Sequence, residues 1–207
     1  MIVILRATFL LVFLSVLAAC GGSDSGDDDQ LVDADQPSPL GTVTAETAVD
    51  AVESFDPAEE DSVAKLNEIA SSGGDFVAEL APLFEDADAD PNSRWAALYL
   101  IALGTDTDEE IAVLKPVLEN DDPIFQVMAA GSLAGLGVTE SLPVLIEGLS
   151  SEEDLPFSDP PRPLSAFARA TLEEHTGESF EDAADWEDWW DDVGADIRWE
   201  DGQYVTD

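Results

Sequence analysis

Two stretches of the chain carry the same order of small and apolar residues. Residues 96–104 read Ala-Ala-Leu-Tyr-Leu-Ile-Ala-Leu-Gly, and residues 129–137, which lie 33 positions later, read Ala-Ala-Gly-Ser-Leu-Ala-Gly-Leu-Gly. A polar loop follows each copy, and after the loop comes a second apolar stripe at helical spacing. The pattern predicts an internal repeat across residues 95–149, in which each unit is a helix, a turn and a second helix.

The second stripes identify a further, more divergent copy of the repeat upstream. The stripes are formed by Ile111, Leu114, Val117 and Leu118 in one unit, and by Leu142, Leu145, Ile146 and Leu149 in the next. Residues 82–85, Pro-Leu-Phe-Glu, align at an offset of 34 with residues 116–119, Pro-Val-Leu-Glu. Because proline lacks an amide proton and its ring clashes with the preceding turn, we expect Pro82 and Pro116 to kink the helices that contain them.

Three Asp-Pro pairs mark expected helix starts. An aspartate accepts hydrogen bonds from the unpaired N–H groups of a first turn, and proline gives up an N–H that has no partner there. The pairs begin at Asp56, Asp90 and Asp122. They predict helices that start at the following proline, after a first short helix over residues 47–55.

The first helix of each of the two clear units is apolar on all sides. Residues 95–103 and most of residues 124–136 lack the polar face that a surface helix presents. These helices are therefore expected to be buried between neighbours on both flanks. Small residues within them allow helices to approach closely: Ala97, Ala130, Gly131 and Gly135.

The C-terminal third predicts a fourth unit, an aromatic cap and a hairpin. After an inserted loop at residues 151–163, one helix face collects Leu164, Ala168, Thr171, Leu172 and His175. Three tryptophans at helical spacing follow: Trp186, Trp189 and Trp190. We expect their helix to cover the last hydrophobic layer, since terminal repeats need a cap. Residues 197–199 and 203–205 flank Asp201-Gly202, which predicts a small β-hairpin.

Residues 129–137 together with residues 142–149, Leu-Pro-Val-Leu-Ile-Glu-Gly-Leu, resemble the short HEAT-like repeats of prokaryotic proteins. The resemblance extends over residues 62–192. It implies an all-α fold, an α-solenoid of about four helix pairs that ends in the tryptophan-rich cap. Proteins of this family serve mostly as protein-binding scaffolds, and a subset acts on phycobilin chromophores.

The first 20 residues have the outline of an export signal. A single Arg6 precedes an apolar run that ends in Leu-Ala-Ala-Cys at residues 17–20. These four residues resemble the lipobox of prokaryotic lipoproteins, which implies that Cys20 is lipidated and becomes the N-terminus. The alternative is an uncleaved membrane anchor, for which residues 2–19 are near the lower limit of length. The immediate change to Gly-Gly-Ser-Asp favours cleavage.

These features divide the chain into four expected segments. Residues 1–19 form a lipoprotein signal peptide. Residues 20–46 form a disordered acidic tether, because their Gly, Ser, Asp and Pro content cannot bury enough apolar surface to offset the entropy of ordering. Residues 47–193 form the repeat domain, and residues 194–207 form a hairpin and tail. The expected location is the extracytoplasmic face of the cell membrane, where the lipid on Cys20 holds the chain.

The charge balance restricts the choice of partner. The chain has 47 acidic and 7 basic residues, which gives a formal net charge of −40. Nucleic acid is excluded as a partner, because neutralising its phosphates takes clustered Lys and Arg. The acids occur in every segment, which favours a general adaptation to high salt, where screening reduces self-repulsion. A dedicated cation-binding surface is the alternative.

Few residues suggest chemistry. His175 is the only histidine, and no nucleophile or orienting acid is designated for it, so we expect a core or cap position. Asp86, Asp88 and Asp90 alternate as at the start of a calcium loop, but the turn glycine and the final glutamate are missing, which leaves them weak metal candidates. No catalytic residue, metal or cofactor is predicted.

The expected function is to bind a protein, whose identity the sequence does not give, through the concave face of the solenoid or the 151–163 loop. Two alternatives stay open: a chromophore-handling lyase or accessory protein of the HEAT type, and an acidic protein that binds cations. The oligomeric state is open as well.

The acidity gives a first prediction. Salt screens the repulsion among the carboxylates, so the melting temperature should rise by well over a few degrees between dilute buffer and molar NaCl. Circular dichroism during heating measures it. A melting temperature that does not respond to salt contradicts the adaptation to high salt.

Overall fold

The computed structural model describes residues 43–74, 76–86, 88–103, 107–156 and 161–206. The described chain is mostly helical, with one two-stranded antiparallel sheet at its C-terminal end. The α-helices are α1 (Ala45–Glu53), α2 (Glu60–Ser71), α3 (Val77–Glu85), α4 (Pro91–Ile101), α5 (Thr107–Leu114), α6 (Pro123–Gly135), α7 (Ser141–Gly148), α8 (Leu164–Thr176) and α9 (Ala183–Val193). A 3-10 helix, Lys115–Glu119, continues α5, and the strands are β1 (Arg198–Glu200) and β2 (Gln203–Val205). The all-α class is confirmed.

The first helix begins two residues before the predicted start. The Thr44 hydroxyl accepts the N–H of Thr47 at 3.2 Å, which caps α1 ahead of Ala45. The last two residues of the predicted tether, 45 and 46, therefore belong to α1. The signal peptide and the tether up to residue 42 lie outside the described residues.

The predicted cap at Asp56 is wrong. Its Oδ1 accepts the N–H of Ala58 at 2.9 Å, which closes a turn, and α2 begins only at Glu60. An aspartate that bonds to its own backbone two residues on makes a turn as readily as a helix cap. The dipeptide therefore does not by itself distinguish the two structures.

The caps at the other two Asp-Pro pairs are confirmed. Asp90 Oδ2 accepts the N–H groups of Asn92 at 2.9 Å and of Ser93 at 3.2 Å, ahead of α4. Asp122 Oδ1 accepts the N–H of Ile124 at 2.9 Å, ahead of α6. In both helices the proline occupies the first position, where no N–H is needed.

The centre of the molecule is α4. Every residue from Trp95 to Ile101 is buried, as its apolar composition predicts. The Trp95 ring stacks on Phe55 at 5.9 Å and on Tyr99 at 5.5 Å between ring centroids. Helices α1, α2, α3 and α6 all pack against α4, which is why it exposes no polar face in this stretch.

The second central helix, α6, is covered in the same way. Its residues from Val127 to Ala134 are buried, and α5, the 3-10 helix, α7 and α8 pack around it. Gly131 permits a close approach between α6 and α8, because a Cβ atom there would lie 2.7 Å from Phe167 Cζ in α8. The predicted role of a small residue at this position is confirmed.

The two prolines predicted to kink their helices behave differently. The α-helix α5 ends at Leu114, and the chain continues through Pro116 as a 3-10 helix, whose shorter hydrogen-bonding span accommodates the ring. Pro82 lies inside α3, which remains an α-helix from Val77 to Glu85. The break at Pro116 is confirmed, and Pro82 does not interrupt its helix.

The C-terminal hairpin forms at the predicted place. Trp199 pairs with Tyr204, flanked by the pairs Arg198–Val205 and Glu200–Gln203. The two turn residues, Asp201 and Gly202, have φ angles of 50° and 92°, as a two-residue hairpin turn requires. The hairpin is not a loose tail, since β2 packs against α8 and Tyr204 is buried.

Within the described ranges, no helix combines the length and the apolar composition needed to cross a membrane.

Replacement of Gly131 with Ala tests the close contact between α6 and α8. The added methyl group gains helix propensity but meets the buried ring of Phe167, so we expect a net loss of about 1 kcal/mol in the free energy of unfolding. In a Phe167→Leu background, the same change should cost about 1 kcal/mol less, because the obstructing ring is gone. Urea denaturation of the four proteins measures this coupling, and equal costs in both backgrounds contradict it.

Candidate functional site

Side chains join consecutive helix pairs at separations of one repeat. The Tyr99 hydroxyl in α4 donates to Asn67 Oδ1 in α2 at 2.8 Å, across 32 positions. Trp95 Nε1 in α4 donates to Met128 Sδ in α6 at 3.2 Å, across 33 positions. Burial raises the pKa of the Tyr99 phenol to about 12, so it remains a donor throughout the neutral range. Neighbouring units thus meet through residues at nearly corresponding places in the repeat.

A second contact recurs in consecutive units and is not apparent from the sequence pattern. Arg94 Nε donates to the carbonyl oxygen of Phe84 at 3.0 Å, and Gln126 Nε2 donates to that of Leu118 at 2.8 Å. Each donor lies four residues after a capping aspartate, and each acceptor lies near the end of the preceding second helix. The two side-chain donors thus supply hydrogen bonds to carbonyl groups near a helix end, where the helix itself leaves such groups without partners. An arginine and a glutamine look unrelated in sequence, which conceals this equivalence.

Arg94 also packs against two aromatic rings that contact each other. Its guanidinium carbon lies 5.7 Å from the centroid of Phe84 and 4.8 Å from that of Phe125. In the C-terminal part, Arg169 Nη1 donates to the carbonyl oxygen of Phe180. Both arginines therefore stabilise main-chain segments of the core rather than serving as surface charges.

The three predicted cap tryptophans come together on α9. Trp186 is fully buried, and its ring meets Phe180 edge-on at 4.9 Å and Trp189 edge-on at 5.6 Å. Trp190 lies 6.4 Å from Trp189, and both of these rings are partly exposed. Helix α9 packs against α7. The cluster is therefore a packed aromatic layer with two partly exposed rings at its edge.

His175 is not part of that layer. It lies on the buried face of α8 with 5% of its surface exposed, and its ring contacts Trp199 of β1 at 5.9 Å between centroids. Burial lowers the pKa of its imidazole to about 4, so the ring is neutral at pH 7. Within the described chain, Nε2 is buried without a hydrogen-bond partner.

Trp199 connects His175 to the turn between α6 and α7. A Cβ atom on Gly137 would lie 2.5 Å from Trp199 Cγ, so the indole ring rests directly on the backbone of this glycine. Gly137 also has a φ of +80°, which L-residues with side chains rarely adopt. Trp199 meets Tyr204 edge-on at 4.8 Å. Sequence reasoning identified this glycine only as the end of a repeat and did not predict what covers it.

Tyr204, in β2 of the hairpin, is a second polar side chain that is buried near His175's helix, α8. Burial raises the pKa of its phenol well above the usual range, and interaction with the Ser141 hydroxyl opposes that rise. Glu140, beside Ser141, forms an exposed ion pair with Lys115 at 2.6 Å. The hydrogen bond from Lys115 lowers the pKa of the Glu140 carboxyl.

A buried carboxyl group that sequence reasoning missed lies between α5 and α6. Glu110 is 1% exposed, and the Ser132 hydroxyl oxygen lies 3.1 Å from its Oε1 and 3.2 Å from the carbonyl oxygen of Ala102. Glu110 follows two other acids in the first turn of α5. Nothing in that local sequence distinguishes it as the one that is buried.

Two of the three aspartates of the weak calcium motif, Asp86 and Asp90, accept separate backbone hydrogen bonds. Asp86 Oδ1 accepts the N–H of Asp88 at 3.0 Å, and Asp90 caps α4. Among the residues that the structure describes, no group of three acidic, His or Cys side chains is arranged to hold a metal ion.

The 151–163 loop is tied together at its base. Asp154 and Pro163 form an isolated antiparallel bridge, and the N–H of Leu155 donates to the carbonyl oxygen of Arg162 at 2.8 Å. Leu155 is buried, which anchors this arm of the loop to the body. Residues 157–160 and the predicted lipidation site, Cys20, lie outside the described residues.

The charged residues at the C-terminal ends of the described helices do not compensate the helix dipoles. No described helix carries Lys or Arg in its last turn, and several end in acids, among them Glu53, Glu85 and Asp192. A negative side chain at the C-terminal end of a helix is repelled by the negative end of the helix dipole, and salt screens this repulsion.

No family model, curated protein or solved structure matches this chain.

Replacement of the aspartates separates the capping role from calcium binding. We expect Asp90→Ala to lower the free energy of unfolding by about 1 kcal/mol, because α4 loses its N-cap, and Asp90→Ser to retain most of it. Asp88→Ala removes the same charge without removing a cap and should change stability by less than about 0.5 kcal/mol. Urea denaturation with and without Ca²⁺ measures these effects. A calcium-dependent gain in the wild type that Asp88→Ala abolishes contradicts the purely capping role.

Proposed function

We propose that this protein is a lipid-anchored extracytoplasmic scaffold that binds another protein, built as a HEAT-like α-solenoid of about four helix pairs. The observation that carries the proposal is the set of contacts between units one repeat apart, Tyr99 to Asn67 and Trp95 to Met128. In a stack of repeats each unit touches mainly its neighbours, and the stack serves to display an extended surface.

The contacts between consecutive units support this architecture. The proposed units are α2 with α3, α4 with α5 and its 3-10 extension, α6 with α7, and α8 with α9. Extensive contacts join the second helix of one unit to the first helix of the next: α3 to α4, the 3-10 helix to α6, and α7 to α8. The first helices of successive units are neighbours, because α4 packs against α2 and α6, and α6 packs against α8. On the other side α3 packs against α5. Helix α1 packs on the first two units and covers the N-terminal end of the stack.

Helix α9 is proposed as the C-terminal cap. Helix α9 packs against α7, and its Trp186 is buried. Arg169 in α8 donates a hydrogen bond to the carbonyl oxygen of Phe180, which holds the segment before α9 against α8. A terminal unit has no further neighbour, so its outer face must be polar. The outward side of α9 is acidic: Asp185, Glu187, Asp188, Asp191 and Asp192.

The second helices provide the binding face. The central parts of α4 and α6 have no exposed surface to offer a partner. In contrast, α3, the 3-10 helix and α7 each expose a proline followed by a glutamate on the same helix: Pro82 and Glu85, Pro116 and Glu119, Pro143 and Glu147. These exposed residues lie at different positions along their helices. We propose that together they form the ridge through which the scaffold contacts its partner.

The lipid anchor rests on the lipobox-like residues before Cys20, and a variant tests it. We expect the wild-type protein in cells to be recovered with membranes, and Cys20→Ser to be recovered unprocessed, because the thiol that accepts the lipid is missing. Cell fractionation with mass measurement of the N-terminus detects the processing. A Cys20→Ser protein that is cleaved and located like the wild type contradicts lipidation, and a wild type that keeps residues 1–19 supports an uncleaved anchor.

Site-specific photo-crosslinking tests the binding face. A photoreactive residue in place of Glu119 or Glu147 should capture one defined protein in living cells, because both positions lie on the ridge. The matched control is Glu53, which is also an exposed glutamate but lies on α1. Capture of the same protein from Glu53 with equal yield contradicts a specific face. A co-purifying chromophore without any crosslinked protein contradicts the scaffold function and supports the chromophore-handling alternative.

A further inference from the structure

The C-terminal hairpin is held to the helical body by a small number of ring contacts. Trp199 of β1 lies on Gly137 and against His175, and Tyr204 of β2 is buried beside the start of α7. Two strands of three residues each have little stability of their own. Closure of the hairpin therefore depends on what lies beneath Trp199.

His175 is the group beneath it. The imidazole is 5% exposed, it has Trp199 against its ring, and Nε2 lacks a hydrogen-bond partner among the described residues. A neutral ring tolerates this environment, whereas an imidazolium there loses its hydration without gaining a partner for Nε2. The closed hairpin is thus compatible with the neutral form of His175 and not with the imidazolium.

The charged and titratable groups around His175 do not offset that cost. Tyr204 is the titratable group of β2, and Arg198 and Glu200 in β1 form an exposed ion pair with each other at 2.6 Å. Helix α7 contributes Glu147 and, at its N-terminal end, Glu140, which is paired with Lys115. Helix α6 has no titratable side chain between Pro123 and Gly135. On α8 itself, Glu173 accepts a hydrogen bond from the Ser179 hydroxyl at 2.8 Å, and Glu174 is the remaining acid beside the imidazole.

We propose that the hairpin at residues 198–205 is an acid-released latch: it stays closed over α8 while His175 is neutral, and protonation of His175 opens it.

The direction follows from proton linkage. With the hairpin open, His175 is in water, where a histidine has a pKa of about 6.5, whereas burial lowers its pKa in the closed state to about 4. The open state therefore binds a proton more readily. Closure is fully favoured above the open-state pKa and weakens as the pH falls from about 6.5 toward about 4.

Two other effects act in the opposite direction, so the latch is distinguishable from general acid unfolding. Burial raises the pKa of the Glu174 carboxyl, so the folded state takes up that proton readily as the pH falls. Partial protonation of the acidic surface also reduces the self-repulsion that the net charge of −40 creates. Mild acid should therefore loosen the hairpin while the rest of the body is unchanged or more stable.

Hydrogen exchange of the full chain in detergent at several pH values tests the latch. After correction for the intrinsic pH dependence of exchange, the opening constant of amides in residues 198–205 should rise about 25-fold from pH 7.5 to pH 5.0. The amides of α4 in the same sample serve as the internal control, and their opening constant should not rise between the two pH values. In His175→Gln, which cannot take up a proton, the rise should vanish. An equal rise in that variant, or no rise in the wild type, overturns the proposal.

A second measurement covers the case in which the variant does not fold. His175 is the only histidine, so its C2–H resonance is identified without assignment, and in the wild type it should titrate near pH 4. Trp199→Ala uncovers the imidazole and should raise the midpoint toward 6.5, because coupling between latch and proton is reciprocal. Tyr204→Phe keeps both rings and should leave the midpoint within about half a unit of the wild type. A wild-type midpoint near 6.5, or one that Trp199→Ala does not move, overturns the latch.

Discussion

Two helices that are apolar on every side determine how this chain is organised, because each of them must be covered all round. Complete burial of a large apolar side chain contributes roughly 1.5–3 kcal/mol, and α4 buries seven consecutive residues from Trp95 to Ile101. Helices α1, α2 and α3 surround α4, while the 3-10 helix, α7 and α8 surround α6. The remaining elements lie where these two helices require cover, and the exposed surface is largely the outer side of the covering helices.

The basic side chains of the described residues make two kinds of contact. Two arginines, Arg94 and Arg169, donate to main-chain carbonyl groups of the core, and the ion pairs at Lys115 and Arg198 are exposed. Acids at helix C-terminal ends oppose the helix dipoles. Packing and backbone caps therefore hold the described part of the fold together against its own negative charge.

Sequence reasoning succeeded where the determining interaction is local. Helical periodicity identified α4, α6 and α8, the turn residues identified the hairpin, and the Asp-Pro pairs located the caps at Asp90 and Asp122. It failed at Asp56, where the same dipeptide closes a turn. Of the candidate site residues, burial of His175 and the grouping of the three cap tryptophans agree with their spacing. The burial of Glu110 and the shared role of Arg94 and Gln126 had no detectable signal, because each depends on a carbonyl or hydroxyl group from another element.

By itself, the sequence determined the helical class, the helix starts after Asp90 and Asp122 and the presence of a hairpin, since these depend on hydrogen bonds and apolar spacing within a few turns of chain. Only the tertiary structure decided where the hairpin packs. Gly137, His175 and Trp199 are far apart in sequence and no sequence pattern joins them, yet Trp199 contacts both of the others. The reason is physical. A short stretch of sequence specifies which face of a helix or strand is apolar, whereas the packing of the whole chain determines which other element covers that face.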